Sequence, residues 1–173
     1  MKIELKILKK ENIDKTKNFK NVKAIAEKLC AFMDSPSINK KIRDKHKTGA
    51  SSKEIQDIII KEAEELGFKS EKKGLFNHYI THGLRPDYFN SKHSGILMEV
   101  ERGKTTINNM DLLDIWKCHI CKDANYLFLI VPMVRQPKEG NDRQEFSKVV
   151  NRVSSFYDKE NYINIDGVFI FGY

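Results

Sequence analysis

Residues 126–131 read Tyr-Leu-Phe-Leu-Ile-Val, six apolar side chains in a row, and Pro132 closes the run. A half-exposed strand would alternate apolar with polar residues, and a membrane span would need about 20 apolar residues. A run of six with neither property reads as a strand buried on both faces, which occurs where helices cover both sides of a sheet. Residues 167–171 repeat the pattern. Helical spacing over residues 108–122 and 142–157 supplies the crossovers that parallel strands require. In the second of these segments Phe146, Val149, Val150, Val153 and Phe156 or Tyr157 form one stripe, and Asp142 and Glu145 stand at capping distance.

The N-terminal half adds further elements. Ile3, Leu5 and Ile7 alternate with Lys2, Glu4 and Lys6, as in an edge strand or an arm. Val22, Ile25, Ala26, Leu29, Phe32 and Met33 predict a core-facing helix, and Pro36 follows its end. Residues 35–50 are polar, basic and punctuated by Pro, Ser and Gly, which reads as a loop. Ser51 and Glu54 have capping-box spacing and Gly67 suits a helix C-terminus, so a helix is expected over 52–66. Short strands are expected over 68–72, 79–82, 85–89 and 95–101. From residue 51 the order is α-β-β-β-α-β-α-β. This predicts one α/β domain with a central mixed sheet flanked by helices, residues 1–50 forming a basic strand, helix and loop packed on a core of 51–173.

Charge is unevenly spread. The chain carries 31 Lys and Arg against 24 Asp and Glu, but residues 1–50 hold 14 against 6 and the remainder is nearly neutral at 17 against 18. Lys40, Lys41, Arg43, Lys45 and Lys47 are the densest part. They read either as a polyanion contact, with DNA as the natural partner, or as a solvated basic loop. Three cysteines imply no disulfide framework, and the charged N-terminus lacks a signal peptide's apolar stretch. A soluble cytoplasmic protein with no membrane partner is the expectation. Cys118 and Cys121 have zinc-like spacing, but Cys30, His78, His82 and His93 offer no matching second pair, so zinc is not expected.

The chemistry is carried by acids. Glu99 and Glu101 are two apart on a predicted strand and leave one face, while Ile96, Met98 and Val100 leave the other. If the preceding strand pairs symmetrically about a turn near His93, Asp87 lies opposite Glu99 with Cβ atoms about 5 Å apart. Three carboxylates that close repel one another unless a cation sits among them, which asks for a metal. Glu62 falls at the centre of the apolar stripe of Ile55, Ile58, Ile59 and Leu66. It reads either as a snorkelling side chain or as a fourth acid beside the cluster.

Arg85-Pro86-Asp87, eleven residues, then Glu99-Val100-Glu101, after a helix bearing Glu62 and before a helix–strand pair, resembles the PD-(D/E)XK nuclease superfamily. Within it the sequence is similar to type II restriction endonucleases of the BamHI-like subgroup, which carry E-x-E where most members have E-x-K. The resemblance spans residues 51–173 and implies a restriction-endonuclease-like fold with an αβββαβ core. It further implies hydrolysis of DNA phosphodiesters with Mg2+, or Mn2+ as substitute, and no small-molecule cofactor. Asp87 and Glu99 would bind the metal, the Val100 carbonyl could complete the coordination, and Glu62 would contact the metal or its water. Glu101, in the usual Lys position, would orient or deprotonate the attacking water. Lys104 and Lys117 could restore the missing cation, though each also reads as a solvated lysine. A homodimer is expected, because cutting both strands symmetrically needs two sites. The rival reading is a non-catalytic DNA-binding module of nuclease-like fold.

Overall fold

The computed structural model describes residues 2–47, 49, 51–70, 75–77, 79, 84–103, 105–135, 141–159 and 161–173. In chain order the elements are β1 (Glu4–Lys9), α1 (Lys17–Asp34), α2 (Pro36–Lys45), α3 (Ser52–Glu65), β2 (Lys69–Ser70), β3 (Tyr88–Asn90), β4 (Ile96–Val100), α4 (Met110–Ile120), β5 (Tyr126–Val131), β6 (Val134–Arg135), β7 (Arg143–Gln144), α5 (Glu145–Ser154) and β8 (Gly167–Gly172). Six strands form one mixed sheet in the order β1-β8-β5-β4-β3-β2, and β6 and β7 pair apart from it. The central strands β4, β5 and β8 are parallel, with β1 antiparallel to β8 on one side, β3 antiparallel to β4 on the other, and β2 antiparallel to β3 at the edge.

The two apolar runs become the adjacent strands β5 and β8, and every residue of both is buried. Tyr126, Phe128 and Ile130 face a core shared with α1 and α3, where Val22, Leu29, Ile55 and Ile59 meet Ile96, Met98 and Val100. Leu127, Leu129 and Val131 face a second core with Ile115 and Cys118 of α4 and Phe146, Val149 and Val153 of α5. Helices on both faces are what let a six-residue strand carry no polar side chain. Residues 4–45 contribute an edge strand and two helices to this same assembly. Among the described residues, no helix is long and apolar enough to cross a membrane.

The capping box of Ser51 and Glu54 starts α3, and Gly67 ends it at φ 95°. Gly95 has the stricter requirement. It lies at φ 75° where β4 begins, and a Cβ there would sit 1.8 Å from the Asp123 carbonyl oxygen. Together with His93 and Ser94, also at positive φ, it makes the tight reversal between β3 and β4.

Some sequence-based expectations need correction. Residues 35–50 are not a loop throughout, since α2 occupies Pro36–Lys45. Pro36 both follows α1 and opens α2 at its first turn, where its missing N–H is no loss. Ile42 and Asn39 anchor this polar helix in the core. The Asp142–Glu145 capping pair does not form: α5 starts at Glu145 with Gln144 as its cap, and Glu145 is buried. The strand expected from Arg85 starts at Tyr88. The end of the segment expected over 68–72, and all of 79–82 except Tyr79, lie outside the described residues, as do His78 and His82. Cys118 and Cys121 are both buried free thiols.

Candidate active site

The pairing of β3 with β4 joins Tyr88 to Met98, Phe89 to Leu97 and Asn90 to Ile96, a register centred on His93. One step further along that register Asp87 meets Glu99, and two hydrogen bonds tie Asp87 to the end of β4. The Asp87 amide donates to Glu99 Oε2 at 3.1 Å, and the Val100 amide donates to Asp87 Oδ2 at 2.8 Å. Each carboxylate thus takes an amide at the point where the ladder ends. The Gln56 side chain of α3 lies beside Asp87 and favours its charged form.

On the acid face of β4 lies α4. Its buried residues are Asp111, Asp114, Ile115, Lys117 and Cys118, while Leu113 and Trp116 are exposed. Lys117 Nζ donates to Glu99 Oε1 and lies 2.8 Å from Asp114 Oδ1. All three side chains are shut from solvent, with Lys117 6%, Glu99 4% and Asp114 0% exposed. An ammonium this deep persists only where carboxylates offset its lost hydration, and two do so here. Burial of Lys117 therefore replaces the solvated-lysine reading.

A second buried charge group holds α4 in place. Arg152 of α5 sets Nε 3.3 Å from Asp111 Oδ2 and donates to the Thr106 carbonyl at 2.8 Å and to Asn109 Oδ1 at 2.7 Å. Glu145 accepts from the Thr106 amide at 2.7 Å. The segment after Glu101 and the first turn of α4 are thereby fastened to α5, which fixes where Lys117 lands.

Four carboxyl groups and one ammonium share the cluster, and their protonation reflects that imbalance. Burial, then the neighbouring Asp114, push Glu101 from its ordinary 4.5 up to about 8 against the pull of Lys117, with Asp87 and Asp111 adding to the rise. Burial, opposed by Lys117 and helped by Asp87 and Asp111, moves Asp114 to about 6. Asp87 and Glu99 are also raised, by burial first. For Lys117, burial works against the charge, but Glu99 and Asp114 outweigh it and raise its pKa above the usual lysine value. A carboxyl raised on folding binds more protons folded than unfolded, so its contribution is favourable at low pH and is lost as pH climbs through the folded value. The metal-free protein should therefore melt at lower temperature at pH 8 than at pH 5. Thermal unfolding across that window, where Asp114 and Glu101 titrate, checks this; a Tm that rises with pH would contradict the cluster's electrostatics.

Other expected residues are not gathered here. Glu62 is half-buried on α3, whose Ile55, Ile59 and Ala63 pack on the opposite face of the sheet. Its side chain makes no hydrogen bond or ion pair among the described residues; the α3 contact to Asp87 comes instead from Gln56, nearly two turns upstream. Lys104 lies outside the described residues. Lys40, Lys41, Arg43, Lys45 and Lys47 are exposed on α2 and just beyond it. Lys40 pairs with Asp44 at 2.8 Å and Lys45 with Glu54 at 3.4 Å. The exit of α2 reaches the site's margin: His46 Nε2 donates to the Val134 carbonyl at 2.9 Å, and its ring stands edge-on to Tyr173, centroids 5.5 Å apart. The Tyr173 hydroxyl in turn donates to the Glu101 carbonyl at 3.0 Å.

Sequence reasoning missed Asp111 and Asp114. Their i, i+3 spacing, extended to Lys117, puts all three on one helix face, and that charged face was the available signal.

Among the described residues, no group of three or more His, Cys, Asp or Glu is arranged to hold a metal ion. Glu99 is engaged by Lys117 and the Asp87 amide, and one Asp87 oxygen by the Val100 amide. The donor chemistry nevertheless suits a hard divalent cation: the groups are carboxylates, they outnumber the buried ammonium four to one, and the Glu101 carboxyl has no hydrogen bond among the described residues. The chain matches no protein-family model and no curated protein sequence.

Proposed function

We propose that the protein is a Mg2+-dependent endodeoxyribonuclease with a restriction-endonuclease-like fold. The observation that carries this reading is Asp87 held at the end of β4 by its amide on the Glu99 carboxylate and by the Val100 amide on its own, with Glu101 two residues beyond Glu99 and Lys117 delivered from α4 to the Glu99 carboxylate. The element order from α3 to β5, helix, three strands, helix, strand, agrees with the αβββαβ core such a fold would have.

In this reading Asp87 and Glu99, with the Val100 carbonyl, would hold Mg2+ or Mn2+. The ion supplies Lewis acidity and positive charge at the phosphate. Glu101, two residues beyond Glu99, would orient or deprotonate the attacking water. Lys117 supplies the positive charge that an E-x-K strand would carry itself, and Asp114 keeps its ammonium pointed at Glu99. Exposed cations on α2 would attract the DNA backbone, and two copies would cut the two strands.

A second reading, a non-catalytic DNA-binding module, is favoured by one observation: Lys117 already occupies Glu99. Supercoiled DNA incubated with the purified protein and Mg2+ decides between them. The hydrolase reading expects nicked or linear product that a chelator abolishes. No conversion on several DNA substrates would leave the binding module.

A further inference from the structure

Strand β4 ends with opposite charges on its two sides. Glu99 leaves on the face covered by α4; Glu101 and Arg102 lie just past the strand's end, and Arg102 reaches toward α2. There its guanidinium donates to the Lys47 carbonyl just beyond that helix. This contact fixes the side chain but uses only part of its fork. Arg102 Nε is buried with no hydrogen-bond partner, although the residue as a whole is partly exposed. The adjoining Lys47 side chain is exposed, as are Lys41 and Arg43, and none of the three has an ion-pair partner among the described residues, whereas Lys40 and Lys45 are already neutralised.

A phosphodiester backbone brought to the acid cluster meets repulsion from several carboxylates, so it needs anchoring cations that the cluster does not consume. Lys117 is consumed, being buried between Glu99 and Asp114. Arg102 is not, and a planar guanidinium with unspent donors matches two phosphate oxygens at once. Because one peptide bond separates it from Glu101, a phosphate seated on Arg102 would set the register of the chain over the acids.

We infer that Arg102, with Lys47 adjoining, forms a second phosphate subsite that takes a backbone phosphate of DNA other than the one cut. The inference rests on the nuclease reading for its orientation relative to the acids. Its recognition chemistry, a phosphodiester held by a preorganised arginine, stands on Arg102 itself.

The test is the salt dependence of binding to a short fluorescein-labelled DNA duplex, followed by anisotropy with Ca2+ replacing Mg2+ so that the duplex stays intact. Arg102→Gln should weaken binding about 10-fold and reduce the slope of log K against log salt by about 0.9, the value for one lost phosphate contact. Arg102→Lys keeps the charge and should keep the slope while recovering only part of the affinity. Thermal unfolding of the same samples should show both variants folded. A parental slope in Arg102→Gln overturns the subsite, as does a loss of affinity that merely follows a fallen Tm in both variants, or a parent that does not bind the duplex. Plasmid cleavage by the parent with Mg2+ judges the nuclease reading separately. Cleavage with an unchanged slope in Arg102→Gln keeps the hydrolase and removes the subsite; an Arg102-dependent slope without cleavage does the reverse.

Discussion

Lys117→Met should abolish metal-dependent cleavage and destabilise the metal-free protein by about 3–5 kcal/mol near neutral pH, the usual cost of removing one partner from a buried ion pair. Lys117 is the one ammonium inside the carboxylate cluster among the described residues, touching both Glu99 and Asp114. Methionine fills a similar volume, so the loss is electrostatic rather than a cavity effect. Without the ammonium, buried Glu99 and Asp114 and half-buried Asp87 face one another, and they relieve the repulsion by taking up protons. The destabilisation should therefore shrink as pH falls, giving a Tm gap between parent and variant of about 10 °C at pH 8 and much less at pH 5. Paired thermal melts at the two pH values and a plasmid assay measure both effects. A variant that cleaves like the parent would reduce Lys117 to a structural counterion.

Asp87→Asn should separate stability from chemistry. The Asn carbonyl oxygen can still accept the Val100 amide that Asp87 Oδ2 accepts at 2.8 Å, so the end of the β3–β4 ladder persists. One charge leaves a cluster in which Asp87 raises the pKa values of Glu99, Glu101 and Asp114. The metal-free variant should thus be as stable as the parent or more so. The same change deletes a hard anionic ligand, so Mg2+ or Mn2+ should no longer raise the Tm through preferential binding to the folded state. Cleavage should fall about a thousandfold or more, since metal charge stabilisation is worth several kcal/mol and each 1.36 kcal/mol is a factor of ten. Calorimetry with and without divalent ion, beside a cleavage assay, reads both quantities. Parental cleavage by this variant, or no metal-induced stabilisation in the parent, would show that the metal-binding assignment is mistaken.

What proved legible in the sequence was information written at short range. The strand period is two, so Glu99 and Glu101 had to share a face, and a tight reversal about His93 had to bring Asp87 against Glu99; the register bears this out. The capping box of α3 and its Gly67 stop are likewise local. The continuous apolar runs of β5 and β8 required cover on both faces because no residue in them could meet water. For α2 the local signal misled. Its Lys-rich composition resembles a loop, and only contact of Ile42 and Asn39 with the core makes the helix worth forming.

The cluster's completion was decided by tertiary packing. The helical spacing of α4 sets Lys117 with Met110, Leu113, Ile120 and Cys121 toward the sheet, and Lys117 and Cys121 are indeed buried. Leu113 and Trp116 nevertheless face out, and Asp111 and Asp114 face in. A helix turns its apolar stripe inward only when what lies beneath is apolar, and beneath α4 lies the acid face of β4, which favours an ammonium over a leucine. Glu62 shows the same limit, because α3 crosses the sheet at a height that offers Gln56, not Glu62, to Asp87. Period and spacing determine which face a residue occupies. How far each helix slides and rotates over the sheet depends on the sum of many distant contacts, among them the Arg152 network that anchors α4, and those contacts exist only once the chain has folded.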